Sequence, residues 1–358
     1  MDIGLLVTIF VLLAMGLIMV LSASAPSALT YEGDSYFYFK SQLINAIIGI
    51  AGMIIISFVD YRIYKKFSMI AIIVAIVLLV LVLVPGIGQT VKGATRWIKI
   101  GIRFQPSELM KIALIVFLAS ELSVVTKQDK VFWRKLFKIM LFVGVICALL
   151  YKEPHMSALA ITCIITGIMV VTVGLKGWQI ASCVGVALLG LGFLVIQEPY
   201  RVKRLQYIFN PFEDLLDSGW QAAQSLYAIG SGGLFGVGLG NSTQKYMYIP
   251  EPHNDFIFAI LAEELGFLGA MFVVLLFGIF IWRGIAIAIK APDMFGTLLA
   301  VGITSLVGVQ AILNIAIVSA TFPVTGIPLP FFSYGGTALI ILLCSCGVLL
   351  NISKNATK

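Results

Sequence analysis

Charged residues are scarce in this chain. Only 11% of its 358 residues are Asp, Glu, Lys or Arg, against about a quarter in a soluble domain, and the mean hydropathy is +1.05. This deficit excludes an ordinary soluble enzyme and an intrinsically disordered chain. Histidine is limited to His155 and His253, and the five cysteines fall inside apolar runs. Because these residues show no metal-ligand spacing, we expect no structural zinc and no disulfides.

Long apolar runs are what the chain has in abundance. A run of about 20 apolar residues crosses the hydrocarbon core of a bilayer as a helix. The runs predict an all-α, polytopic membrane protein with about ten transmembrane helices, folded as a single domain over 1–358, with a large extracytoplasmic loop at 198–254. The predicted spans are 3–23, 42–59, 67–85, 106–123, 136–151, 156–174, 177–197, 255–283, 295–320 and 331–351.

The basic residues set the expected orientation. With both termini in the cytoplasm, the cytoplasmic segments hold only slightly more Lys and Arg than the opposite side, which by itself is poor support for the positive-inside rule. The basic residues on the outer side either keep loops soluble or meet an anionic lipid headgroup. They lie between different spans rather than in one patch, which argues against a nucleic-acid partner. Most outer basic residues fall in two stretches, namely Lys92, Arg96, Lys99 and Arg103, and Arg201, Lys203, Arg204 and Lys245.

Part of the long outer loop has helical periodicity. Trp220, Ala223 and Tyr227 recur at helical spacing and predict a short amphipathic helix over 218–230, resting on the bilayer surface. The glycine-rich run 231–240 lacks the ending of a P-loop and the spacing of a dinucleotide fingerprint, so nucleotide binding is not supported. Its glycines fit either a close backbone approach to a phosphate or a hinge.

Asp255 follows the long loop at the outer boundary of the eighth predicted span. Either Asp255 or Asn254 caps that helix, or the Asp255 carboxylate is a general base that takes a proton from a hydroxyl nucleophile. Glu263 and Glu264 lie two turns further on and project about 80° and 180° away from Asp255. We expect at least one of them to make an internal polar contact.

Glu108 and Lys111 are spaced i, i+3 at the outer start of the fourth predicted span, where Pro106 indicates a helix opening. Ionisable groups at membrane depth are costly, so they pair with one another or face a wet cavity. The two residues are therefore either a structural ion pair or part of a site.

Two more features lie at this outer boundary. Arg96 stands beside Trp97, which is a common interfacial anchor, and a guanidinium there can bind phosphate in bidentate fashion. The Pro/Gly-broken run 322–336, which contains Ser333, precedes the last helix. Irregular backbone at the membrane edge is tolerated only where it is buried or lines a cavity, so we expect this run to line the same cavity.

These motifs resemble the SEDS family of shape, elongation, division and sporulation proteins, whose members include RodA, FtsW and SpoVE. Runs 93–97 and 250–255 are more similar to the FtsW/SpoVE branch than to RodA. The chain departs from the pattern at 153–157, where many relatives carry Pro-Asp-Leu-Gly, so no acidic role transfers to His155. The matching segments are 93–98, 105–111, 201–204, 219–221, 231–240, 244–246, 250–264 and 323–336.

The resemblance implies a peptidoglycan glycosyltransferase at the outer face of the bacterial plasma membrane, serving division, shape or sporulation. Such an enzyme polymerises lipid II and the undecaprenyl-diphosphate-linked glycan into β-1,4 strands with inversion, usually beside a class B penicillin-binding protein, which is a transpeptidase. It also implies that Asp255 is the catalytic aspartate. The predicted substrate-binding residues are Arg96, Lys99, Arg103, Glu108, Lys111, Arg201, Arg204, Lys245 and Ser333.

A divalent cation, Mg²⁺ or Mn²⁺, is the one cofactor that this chemistry admits. Such an ion would bind to Asp255 or to the diphosphate, although the sequence has no dedicated set of metal ligands. Two other functions stay open. The chain could be a lipid II flippase or transporter, because helices with internal charges and broken segments also describe transporters. It could also be a non-catalytic scaffold for the penicillin-binding protein, with Asp255 only a cap.

Overall fold

The computed structural model describes residues 1–91, 94–100, 102–124, 129–174, 219–246 and 248–356, together with positions 185, 192 and 212. Helices dominate this part of the chain. They are α1 (Ile3–Glu32), α2 (Phe37–Phe58), α3 (Arg62–Leu83), α4 (Pro106–Leu122), α5 (Asp129–Lys152), α6 (Met156–Thr172), α7 (Trp220–Gly232), α8 (Ile257–Ile289), α9 (Met294–Val318) and α10 (Gly336–Lys354).

Six of the described helices, α1, α2, α3, α8, α9 and α10, are long and apolar enough to cross a membrane. Helices α4, α5 and α6 occupy the predicted spans 106–123, 136–151 and 156–174. The predicted span 177–197 lies outside the described residues except at 185 and 192. The prediction of a polytopic helical membrane protein is confirmed, while the number of ten spans stays a prediction.

Helix boundaries differ from the predicted spans at several places. Helix α1 continues past residue 23 to Glu32, α8 begins at Ile257 with a break at Gly266, and α10 begins at Gly336 rather than at 331. Thirty residues of α-helix measure about 45 Å, which exceeds the roughly 30 Å hydrocarbon core. Hydropathy marks the part of a helix that matches lipid, so it underestimates helices that continue into water.

A three-stranded antiparallel sheet lies between α3 and α4. It consists of β1 (Gly88–Val91), β2 (Ala94–Ile100) and β3 (Ile102–Phe104), in the order β1-β2-β3. The all-α prediction missed this sheet, because its strands are short and lie in a stretch that the charge pattern marked as a loop. Strand β2 packs against α3 and α4, which places Arg96 near the start of α4.

Both termini lie at one end of the helices. The backbone N–H of Asp2 donates to the Ser353 hydroxyl at 3.0 Å, and Arg283 Nη2 lies 2.8 Å from Asp2 Oδ1. Arg283 is near the end of α8, whereas Asp255 comes just before its start. Asp255 is therefore at the opposite end from both termini, and we call this the Asp255 end.

The predicted helix over 218–230 is confirmed as α7, with Ala223 buried and Tyr227 half exposed. The glycine-rich run that follows folds back along α8, where Gly266 interrupts the helix with a φ of 69°. Backbone N–H groups of Val237 and Gly238 donate to the carbonyls of Glu263 and Glu264 at 3.0 and 3.1 Å. The loop therefore satisfies helix carbonyls that the break would leave without donors.

Candidate active site

Asp255 lies in a turn that leads into α8. The N-cap of this helix is Phe256, whose own side chain makes no capping hydrogen bond. The interpretation of Asp255 or Asn254 as the N-cap residue is therefore wrong, because the cap position falls at Phe256. Asp255 precedes the cap residue by one position.

Three consecutive backbone carbonyls hold this turn in place. Each accepts a hydrogen bond from a residue in the C-terminal third of the chain. The donors come from helix α9 and from the irregular run before α10, so the turn is fixed through its main chain. The pairs are Tyr334 N to His253 O at 2.9 Å, Ser333 Oγ to Asn254 O at 2.7 Å, and Asn314 Nδ2 to Asp255 O at 2.7 Å.

The irregular run 322–335 lies directly against the Asp255 carboxylate. Gly326 has a φ of 71°, and a Cβ placed there would lie 3.0 Å from Asp255 Oδ2. The Ser157 hydroxyl at the start of α6 donates to the Thr325 carbonyl and fixes the run from the other side. Only glycine satisfies both the positive φ and the close approach at this position.

Arg96 reaches the same region from β2. Its Nη2 donates to the carbonyl of Pro154, in the turn between α5 and α6. Burial lowers the pKa of Arg96, and the negative charges of Asp255 and Glu153 act in the opposite direction. The guanidinium stays protonated in any case, so a permanent cation and the Asp255 carboxylate influence each other at one end of the molecule.

The turn between α5 and α6 supplies two buried titratable groups. Glu153 is 1% exposed, and burial raises its pKa to about 8 against the opposing charge of Arg96. His155 caps α6 by accepting the Ala158 N–H on Nδ1 at 3.2 Å. Burial, and then the positive charges of Arg96 and Lys111, lower the pKa of His155 to about 3.

Because Nδ1 of neutral His155 is an acceptor, its proton is on Nε2. This nitrogen lies 2.8 Å from the side-chain amide of Gln105, which immediately precedes α4. The Gln105 atom placed there is Nε2, and because two N–H groups cannot bond to each other, we infer that the amide is turned so that its oxygen accepts from His155 Nε2–H. The imidazole thus links the start of α4 to the start of α6 without carrying a charge.

The predicted pairing of Glu108 with Lys111 is confirmed. Lys111 Nζ lies 2.8 Å from Glu108 Oε2, with the lysine side chain 3% exposed and the glutamate side chain 14% exposed. The charge of Lys111 acts on His155, so the pair belongs to the same end of the bundle as Arg96.

Lys245 has its hydrogen-bond partners elsewhere. Its ammonium donates to Ser22 Oγ, Gly240 O and Glu264 Oε1 at 3.3, 2.6 and 2.9 Å, which uses all three of its donors. The expectation that Glu263 or Glu264 makes an internal polar contact is confirmed for both, since Glu263 accepts from Ser242 and Thr243.

Other predicted substrate-binding residues are placed less fully. Lys99 and Arg103 are opposite one another in the β2–β3 register, and only their backbone is described. Arg201 and Arg204 lie outside the described residues. The Ser333 hydroxyl accepts the Leu329 N–H at 2.7 Å while it donates to Asn254, so it is engaged with backbone on both sides.

Sequence reasoning missed two residues of this region. Asn314 is a fully buried amide within the apolar helix α9, and it bridges the carbonyls of Asp255 and Ile327 at 2.7 Å each. A lone polar residue in a membrane helix is a signal that could have found it. In the sequence Glu153 is noticeable only as part of the unusual run 153–157. Its burial beside Arg96 depends on segments that are distant in the chain, so no local pattern predicts it.

Comparisons with known proteins agree with this architecture. The cell cycle protein family of FtsW, RodA and SpoVE matches residues 4–358. The chain is 46% identical to stage V sporulation protein E of Bacillus subtilis over 357 residues, covering 99% of this chain and 97% of that protein. It is 42% identical to the probable peptidoglycan glycosyltransferase FtsW of Geobacter sp. (strain M18) over 355 residues, covering 98% and 96%.

Two solved structures share the fold. A chain of a peptidoglycan synthase complex that coordinates polymerization and crosslinking superimposes with a TM-score of 0.83 at 25% identity, covering 99% of this chain and 97% of that one. The rod shape determining protein RodA of Thermus thermophilus gives a TM-score of 0.73 at 25% identity, covering 100% and 98%. The chain belongs to the FtsW, RodA and SpoVE family of cell cycle proteins, as the similarity along its whole length establishes.

Proposed function

We propose that the chain is a peptidoglycan glycosyltransferase that polymerises lipid II into β-1,4 glycan strands. Relatives at 37–42% identity carry the name of that activity. The observation that carries the proposal is the convergence of Asp255 and Arg96, from distant parts of the sequence, at one end of the bundle. A carboxylate and a fixed cation are the two groups that this reaction requires.

The Asp255 carboxylate is the general base in this proposal. It accepts the proton of the 4-hydroxyl of the acceptor sugar while that oxygen attacks the anomeric carbon of the donor. The bond from the anomeric carbon to the diphosphate breaks as the new glycosidic bond forms, and its electron pair leaves with the lipid diphosphate. Attack opposite the leaving group converts the α-linked donor into a β-1,4 product without a covalent enzyme intermediate.

Arg96 stabilises the negative charge that develops on the departing diphosphate. The guanidinium is held by the Pro154 carbonyl and lies in a partly buried position, where a fixed cation interacts more strongly than in water. The Glu108–Lys111 pair stands close by at the start of α4. Lys99, Arg103, Arg201 and Arg204 complete the proposed anionic-substrate surface, and Ser333 supports it by fixing the backbone beside Asp255.

A divalent cation finds no ready-made cage here. Among the described residues, no group of three or more His, Cys, Asp or Glu side chains could hold a metal ion. A Mg²⁺ or Mn²⁺ ion would therefore depend on the substrate diphosphate for most of its ligands. The residues present do not fit a resident metal, and no step above requires one.

We place the Asp255 end outside the plasma membrane and both termini in the cytoplasm. The opposite end carries Arg62, Lys65, Arg283 and Lys354, which supports this orientation by the positive-inside rule. A class B penicillin-binding protein is the proposed partner, because the similar solved chain comes from a peptidoglycan synthase complex. Lipid II and surrounding membrane lipid are the small-molecule partners.

The test is glycan polymerisation from labelled lipid II in liposomes, with and without a cognate class B penicillin-binding protein. Asp255→Asn is expected to lose at least about 100-fold in rate, which is the usual scale for a missing general base. Asp34→Asn is the matched control, since Asp34 is an exposed carboxylate paired with Lys40 at the start of α2. It should polymerise like the wild type.

Equal polymer from wild type and Asp255→Asn would remove Asp255 from the mechanism. A wild type that forms no polymer with its partner but translocates lipid II would instead identify a transporter. Normal recruitment of the partner without either activity would identify a scaffold.

A further inference from the structure

Gln42 is a fully buried amide in the second turn of α2, one of the helices that are long and apolar enough to cross a membrane. Its Nε2 donates to the Ser333 carbonyl at 3.1 Å, and its Oε1 accepts the Gly335 N–H at 3.3 Å. A buried amide is costly unless both of its ends are hydrogen-bonded, and here the backbone bonds both. Gln42 therefore ties α2 to the irregular run before α10.

The same part of that run holds the turn that carries Asp255. The Ser333 hydroxyl donates to Asn254 O at 2.7 Å, and the Tyr334 N–H donates to His253 O at 2.9 Å. The run is thus bonded to α2 on one side and to the two residues before Asp255 on the other. A displacement of the run away from α2 would move the turn with it.

Ring contacts join α2 to the turn directly. The Tyr38 ring stacks on the His253 ring, with centroids 4.4 Å apart and an interplanar angle of 29°. It also meets the Tyr334 ring edge to face at 5.0 Å. Tyr38 and Gln42 are spaced i, i+4 and share one face of the helix. One face of α2 therefore packs against both the run and the Asp255 turn.

We propose that Gln42 and Tyr38 are positioning residues, which keep the Asp255 carboxylate in place for proton transfer without touching the reacting atoms. The role of that carboxylate as a base rests on the proposed function. A base acts only within hydrogen-bond reach of the proton that it removes, and an error of about 1 Å can cost about 100-fold in rate. Loosening the turn should therefore slow the chemical step rather than weaken substrate binding.

Asn351 provides a matched control at the opposite end of the bundle. This buried amide of α10 also bridges two backbone groups, since its Nδ2 donates to the Ser57 carbonyl and its Oδ1 accepts the Tyr61 N–H, both at 3.0 Å. Gln42→Met and Asn351→Leu each replace such an amide by an apolar side chain of similar size. Because each removes two hydrogen bonds to the backbone, the two variants should lower the melting temperature by similar amounts.

The experiment measures lipid II polymerisation by the full-length proteins in liposomes, well below both melting temperatures. Gln42→Met should lower kcat at least about tenfold and change KM for lipid II by less than about twofold, whereas Asn351→Leu should keep both constants within about twofold of the wild type. Tyr38→Leu tests the ring contact separately and should also lower kcat. Its control is Tyr36→Leu, because Tyr36 is exposed and should tolerate the same change.

Hydrogen–deuterium exchange tests the same contacts without activity. In Gln42→Met the Gly335 N–H loses its acceptor, so its exchange should become at least about fivefold faster. Peptides that cover 253–256 should exchange faster as well, because the run no longer holds the turn as firmly. Asn351→Leu should change neither.

A wild-type kcat in folded Gln42→Met, an equal loss in Asn351→Leu, or a loss that lies entirely in KM would overturn the positioning role. If Gln42→Met does not fold, equal kcat values for Tyr38→Leu and Tyr36→Leu would overturn it instead. Exchange keeps this proposal apart from the proposed function. A wild type without polymer would refute the glycosyltransferase, yet faster exchange at 253–256 in Gln42→Met would still establish the link from α2 to the Asp255 turn.

Discussion

Replacing Lys245 by Met is expected to destabilise the fold by about 3–5 kcal/mol. Lys245 Nζ lies 2.9 Å from Glu264 Oε1, and the two side chains are 4% and 0% exposed, so the change leaves a buried carboxylate without its counter-charge. The loop also loses the bond from Nζ to the Gly240 carbonyl. Since 1 kcal/mol shifts the melting temperature of a mid-sized domain by about 2–4 °C, we expect a fall of roughly 10 °C.

The assay is thermal unfolding in detergent, with a double variant and a surface control. The double variant Lys245→Met/Glu264→Gln also removes the unpaired charge of Glu264, so its melting temperature should recover at least half of the fall seen in Lys245→Met. Lys40→Met breaks a shorter pair, 2.7 Å from Asp34, but its side chains are 64% and 40% exposed, so it should cost under about 1 kcal/mol. A fall below about 2 °C for Lys245→Met, or no recovery in the double variant, would refute this reasoning.

Two further changes test the Asp255 end. Gly326→Ala places a Cβ 3.0 Å from Asp255 Oδ2 at a φ of 71°, so lipid II polymerisation should fall at least about tenfold while the protein still folds. Normal polymerisation would contradict that close approach. For His155, whose folded-state pKa is lowered to about 3, the unfolded chain binds a proton that the native chain excludes, so stability should fall as the pH drops below about 6.5. His155→Asn keeps a capping side chain, and its melting temperature should change less between pH 7.5 and 5.5.

The helices and the charged candidate residues could be predicted from the sequence because both depend on patterns among residues that are near one another in the chain. An apolar run of membrane length has few alternatives to a helix, and an ion pair such as Glu108–Lys111 is fixed by i, i+3 geometry alone. Asp255 was identifiable because it ends a long loop at a membrane boundary. In each case the residues involved are close together in the sequence.

The remaining parts of the site depend on which helices are neighbours, and no local pattern encodes that. Arg96 and Pro154 meet because β2 and the α5–α6 turn occupy the same end of the bundle. Lys245 was grouped with the outer cations, yet its partner is Glu264 on α8. That pairing requires the glycine-rich loop to fold back along α8 at the Gly266 break, which hydropathy does not reveal.

The position of Asp255, one residue before the N-cap of α8, matters for its chemistry. Here Phe256 takes the cap position, and the bonds that fix the turn involve the carbonyls of Asn254 and Asp255. The main chain thus provides the rigidity that a reactive side chain needs.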